Sequence, residues 1–153
     1  MKKNIIVDLS VEFALEIIEV YKLLAYNKKE FVMSKQMLRS GTAVGALIAE
    51  AQNAESKKDF IHKLAIAQKE CGETEYWLYL LHKSNFIANS QYASLYDQCK
   101  SIMKILRSII ISTKQKLNNP IILAFCHLHF LLYKASLNNK TQKNIITNVP
   151  CKS

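Results

Sequence analysis

Proline is absent from the first 119 residues of this 153-residue chain; Pro120 and Pro150 are the only two. No pyrrolidine ring therefore breaks a helix before residue 120. Glycine is nearly as scarce. Gly41, Gly45 and Gly72 complete the set, and all three lie inside apolar-periodic stretches rather than turn-like clusters. A β-sandwich or a doubly wound sheet needs many more Gly and Pro turns. Cys71, Cys99, Cys126 and Cys151 form no C-x-x-C pair, which argues against a zinc knuckle or a redox motif. The segment Met1–Asp8 starts like a secretion signal, but its apolar run stops after three residues. The expected compartment is a reducing cytoplasm with free thiols.

Motifs that carry chemistry are missing too. There is no G-x-x-x-x-G-K-[ST], no G-x-G-x-x-G and no H-E-x-x-H. A di-metal carboxylate bundle requires Glu-x-x-His from two helices, and this chain offers only Asp59-x-x-His62. His127 and His129, next to Cys126, are two apart, which on a helix turns them about 200° from each other. Cys71 and Cys99 fall on apolar seams and read as buried structural thiols, not nucleophiles. The expectation is a non-catalytic protein with no metal, no cofactor and no small-molecule substrate.

What the chain does have is helical periodicity. The first helix is expected to start with Asp8 or Ser10 as its cap and to run to about residue 26. Its stripe is Phe13, Ile17, Val20 and Leu24. A second helix over roughly 30–54 has the seam Met33, Met37, Ser40, Val44, Leu47, Ala51, Ala54, the four-three stepping of a bundle helix. Gly41 and Gly45, one turn apart beside it, suggest close backbone approach by another helix. Ser56, with Asp59 three residues on, caps a third helix running to about residue 83. Its seam is Phe60, Leu64, Ala67, Cys71, Thr74, Leu78 and Leu81, widened by Ile66, Trp77 and Leu80. After a loop over 84–91, Leu95, Cys99, Ile102, Leu106, Ile109 and Thr113 mark a fourth helix over about 92–116. Short connections make successive helices antiparallel. The fold class is all-α: an antiparallel up-and-down four-helix bundle over residues 1–116, with an extra C-terminal segment over 117–153. Within that tail, 121–135 is almost uniformly apolar and reads as a short fifth helix, too short to span a bilayer. Membrane association is disfavoured. From residue 138 the chain is polar, basic and expected to be disordered. Extra coding sequence appended to a complete domain is the other reading of the tail.

The net charge is +9, of which residues 1–116 hold +5 and the acid-free tail +4. Such a balance suits either an anionic partner, nucleic acid first, or simple solubility. The nucleic-acid candidates are Lys57, Lys58 and Lys63 at the start of the third helix and Lys100, Lys104 and Arg107 along one face of the fourth. Such a stripe neutralises phosphates without reading bases, or else is an ordinary solvated face. Glu50 and Glu73 either join a solvated surface or turn inward to pair with Arg39 or Tyr76.

Three runs carry a family likeness: Met37–Ala51 (MLRSGTAVGALIAEA), Lys58–Ala67 (KDFIHKLAIA) and Lys69–Leu78 (KECGETEYWL). Together they resemble a bacterial four-helix-bundle family. It includes the proteins encoded in 23S rRNA intervening sequences and the accessory variability proteins of diversity-generating retroelements. The likeness covers residues 8–116 in order. It implies an antiparallel four-helix protomer assembled as a ring-like homopentamer with a basic surface. In the retroelement branch that assembly binds nucleic acid and a reverse transcriptase. No enzymatic activity is implied. Leu47 and Ala43 depart from the pattern, standing where Asn and Ser are common, so a polar contact made there in the family is in doubt here. The tail has no counterpart. On this footing Arg39, Gly41, Gly45, Glu50, Glu73, Tyr76 and Trp77 are helix-packing or interface candidates. A homo-oligomeric adaptor for structured RNA or DNA is the leading functional expectation, and a protein-interaction module the alternative.

Overall fold

The computed structural model describes residues 4–118. They form four helices: α1 (Ile5–Lys22), α2 (Met33–Gln52), α3 (Lys57–Lys83) and α4 (Asn89–Leu117); no strand occurs among them. Side-chain contacts give the directions. Asn4 Nδ2 donates to Gln52 Oε1 at 2.9 Å, so the start of α1 lies beside the end of α2. Thr74 Oγ1 donates to Ser40 Oγ at 2.9 Å and Lys63 meets Glu50 at 2.6 Å, so α3 runs back along α2. His82 stacks on Tyr92 while Cys71 meets Cys99, so α4 returns along α3. Gln98 donates to Glu16 at 2.7 Å and closes the bundle between α4 and α1. The architecture is an up-and-down four-helix bundle. Its compact unit is Met1–Lys114; a second unit, Gln115–Ser153, is described only over its first four residues. The apolar stretch 121–135 and the polar end after it lie outside the described residues.

Each helix contributes one stripe to the core. Phe13, Ile17, Met37, Val44, Leu64, Leu78, Leu95 and Leu106 are among the side chains with essentially no exposure. The expected seams hold in α1 and α3 and drift in the other two helices. In α2 the buried position is Ile48, with Leu47 only half-buried; in α4 it is Ile110 rather than Ile109 or Thr113. A strict three-four alternation averages 3.5 residues per turn, whereas an α-helix has 3.6, so the seam drifts by about 20° per seven residues and the next position along comes closer to the core line.

The helix ends differ from the expected ones by a few residues, for local reasons. α1 starts at Ile5, earlier than Asp8 or Ser10 would cap it, because Ile6 joins the core and the Asn4 carbonyl accepts the N–H groups of Val7 and Asp8. Ser10 is buried mid-helix, its Oγ donating to the Val7 carbonyl at 2.8 Å. α1 then widens into a π-helical turn, Leu23–Asn27, and Lys29 takes a left-handed φ of 54°. Residue 30 does not open α2. Glu30 instead caps it from outside, Oε1 accepting from the N–H of Val32 (3.0 Å) and Met33 (2.9 Å), and Oε2 from Ser34 (2.7 Å). Ser56 caps α3, its Oγ accepting from the Asp59 N–H at 3.1 Å. α4 starts at Asn89, three residues before the expected 92.

Gly41 and Gly45 sit where α1 crosses α2. A Cβ on Gly41 would lie 2.9 Å from Ile17 Cγ1 and Cγ2, and one on Gly45 would lie 3.4 Å from the Ser10 carbonyl oxygen. The absent side chains let these two backbones meet.

Candidate nucleic-acid interface

The flank shared by α3 and α4 carries the charge of interest. Cys71 beside Cys99 fixes the register. Counting back 14 residues on α3 and forward 15 on α4 brings Lys57 and Lys114 to the same end of the bundle. On α4, Lys100, Lys104 and Arg107 step by four and three along one face. On α3, Lys58, Lys69 and Tyr76 are 11 and 7 residues apart, spacings that also return to one face.

The six candidate cations divide into two sets. Lys57, Lys58, Lys104 and Arg107 are exposed and make no ion pair among the described residues. Lys63 is instead half-buried against α2, with Nζ 2.6 Å from Glu50, and that hydrogen bond raises its pKa. Lys100 meets Glu75 at 2.8 Å and lies 4.9 Å from the centre of the Tyr96 ring; Glu75 and Tyr96 together raise its pKa. A paired lysine has already spent part of its field on a local acid, so the unpaired four are better placed to meet phosphates. Asp97, two turns before Lys104, is the other acid on this flank of α4.

The acids of α3 do not act as one cluster. Glu75 turns to Lys100, while Glu70 and Glu73 turn to Arg39 of α2. Glu73 also accepts from Trp77 Nε1 at 3.2 Å; the Arg39 guanidinium, then the indole N–H, hold its carboxyl below the usual range. Arg39 thus ties α2 to α3 at the surface, since more than half of its side chain stays exposed. Glu50 faces solvent beside Lys63, away from both Arg39 and Tyr76. Tyr76 is exposed and meets the Trp77 ring edge-on.

The sequence reading did not single out a tyrosine-lined groove above the lysines. Tyr76 and Tyr79 on α3 face Tyr92 and Tyr96 on α4, with Gly72 at one end. Its signal was available: two tyrosine pairs at i,i+3 and i,i+4, on helices that must run antiparallel. Below the surface, Cys71 and Cys99 are buried with sulfurs 2.8 Å apart. The hydrogen bond to Cys71 and burial push the Cys99 thiol far up, away from the nucleophilic thiolate. No group of three or more His, Cys, Asp and Glu side chains could hold a metal ion among the described residues. None of the described helices is long and apolar enough to cross a membrane.

No curated protein matches the chain. Among solved structures it is similar to a protein of unknown function from the S23 ribosomal protein family of Bacteroides thetaiotaomicron. The two share 53% identity at a TM-score of 0.68, over 69% of this chain and 97% of that one. The model of the 23S rRNA-intervening sequence proteins matches residues 2–108. With four antiparallel helices and a match over more than half its length, the chain belongs to the 23S rRNA-intervening sequence protein family.

Proposed function

We propose that the protein is a non-catalytic, self-associating adaptor that holds structured RNA or DNA by its phosphates on the α3–α4 flank. The observation that carries this reading is the set Lys57, Lys58, Lys104 and Arg107, exposed and free of ion pairs among the described residues. Cations outside ion pairs keep most of their attraction for a polyanion, and their contacts carry no base information. Self-association is supported by Val11 and Leu15, four residues apart on α1 and each more than half exposed. A ring of five, a reverse transcriptase as protein partner and a cytoplasmic location follow the family likeness.

The test is fluorescence anisotropy of the full chain with a labelled RNA hairpin and a DNA duplex, from low to physiological salt. Affinity should fall steeply with salt, and Lys104→Gln with Arg107→Gln should reduce the slope of log affinity against log salt by about 2. No binding to either probe at low salt would sink the proposal. The second reading, a module for a protein partner, is favoured by the same α1 stripe. It requires that substitutions at the four cations leave partner binding intact.

A further inference from the structure

We propose that the tyrosine groove between α3 and α4 is a stacking site for unpaired nucleobases, so that a single strand is the preferred form of the polyanion. The proposal rests on the nucleic-acid reading above and adds a ligand class and a site to it.

Four observations converge. The groove is open, about 540 Å³, and lined by Tyr76, Tyr79, Tyr92, Tyr96, Glu75 and Gly72. Tyr76 and Tyr79 are 56% and 46% exposed, so much of each ring is open to an incoming ligand. A ring stack already exists beside the groove. The rings of His82 and Tyr92 are parallel within 8° at 4.6 Å, and Tyr96 lies 5.5 Å from Tyr92, tilted by 36°. A planar base extends such a stack, because every base has a π face.

Cations flank the rings. Lys83 lies 5.6 Å from the centre of Tyr79, and Lys100 lies 4.9 Å from that of Tyr96. A lysine resting on a ring is displaced by an incoming base and left beside that base's phosphate. Glu75, which lines the groove, is already offset by Lys100. Below Lys100 the stripe continues to Lys104 and Arg107, so a strand leaving the groove meets unpaired charge along α4.

Gly72 supplies the independent observation. It lies in the middle of α3, exposed, and a Cβ built on it meets nothing within 4 Å. Gly41 and Gly45 are explained by the approach of α1, but nothing among the described residues explains Gly72. A helix interior disfavours glycine, and a bare backbone on a groove wall lets a flat ligand lie close to it.

The experiment uses the full chain and a 12-nucleotide single-stranded RNA carrying one 2-aminopurine, with a blunt duplex of the same sequence as control. Binding should quench the 2-aminopurine emission of the single strand further and leave the duplex emission, already low from internal stacking, unchanged. Tyr76→Ala with Tyr79→Ala should weaken single-strand binding about tenfold, the equivalent of one lost base–aromatic stack, and abolish the quench. Duplex binding should be unchanged. Gly72→Leu, which fills the groove from a position with free space, should give the same loss in a protein at least as heat-stable as the parent. Equal affinity for both probes without quenching overturns the stacking site and leaves phosphate binding standing. Binding to neither probe overturns both. A change of oligomeric mass in Gly72→Leu assigns the groove to a second copy of the chain and overturns the proposal.

Discussion

At the scale of single residues, Glu30 shows how one side chain sets a helix start. The two α-helical residues that open α2, Met33 and Ser34, and Val32 before them, present N–H groups with no intrahelical acceptor. Glu30 collects all three on its two oxygens while the Ser34 hydroxyl returns a bond to the Glu30 carbonyl at 2.7 Å. The side chain is nearly buried, and burial alone would favour its neutral form. The bonds from Met33, Ser34 and Val32 together outweigh this and hold its pKa below the ordinary 4.5. A carboxylate with a depressed folded-state pKa stabilises the fold above its unfolded pKa and stops doing so as the pH falls through the folded value. Glu30→Ala should therefore cost about 1–2 kcal/mol in chemical denaturation at pH 7, the usual range for a lost cap. The gap between parent and variant should stay flat above about pH 5.5 and narrow below 4.5. An equal gap at pH 7 and pH 3.5 would show that the charge is not what caps α2. Nothing in the sequence pattern singled out this role. A glutamate three residues before a helix is an ordinary surface residue until the chain turns back on it, here through the left-handed Lys29.

Between elements, what could be read from the sequence was whatever depends on periodicity. α3 is legible throughout: its cap at Ser56 and all six of its buried positions, Leu64 through Leu81, follow from residue spacing. Ile48 against Leu47 was not legible. Both are aliphatic and adjacent, and only the packing of the neighbouring helices decides which one turns inward. The candidate site shows the same divide. Which lysines share a face follows from spacing within a helix, whereas their pairing depends on a neighbouring helix. Glu50 reaches Lys63 across α2 and α3, and Glu75 reaches Lys100 across α3 and α4. The glycines of α2 lie between these cases, since their spacing signalled a close approach without naming the partner helix. Ile17 now names it. Gly41→Ala would gain helix propensity worth about 1 kcal/mol but push a methyl against the branched root of Ile17, an overpacking cost of about 1–3 kcal/mol. The net expectation is a loss of stability that the added substitution Ile17→Val does not rescue, because valine keeps both γ carbons at 2.9 Å and removes only Cδ1, at 3.3 Å. A Gly41→Ala variant with an unchanged or raised Tm would mean that α1 and α2 move apart without cost.

For the molecule as a whole, the question is how a modest charge of +9 on a small protein would hold a polyanion. Four unpaired cations on one protomer give weak binding at physiological salt, but several protomers on one strand multiply it through effective concentration. The surface proposed for that assembly is the α1 stripe. Val11 and Leu15 are exposed, and Leu15 borders a shallow groove of about 610 Å³ with Val20 and Leu95. Val11→Asn with Leu15→Asn removes this apolar surface without altering charge. The variant should elute as a monomer by light scattering while its helical circular dichroism stays the same. Its affinity for the RNA hairpin should then fall by a factor on the order of a hundred, the low end of what multivalent contact supplies. A mass equal to that of the parent would remove α1 from the assembly surface. A monomer that kept the parent's affinity would show that one protomer suffices, and would shift the source of binding from the number of copies to the lysines and tyrosines of a single α3–α4 flank.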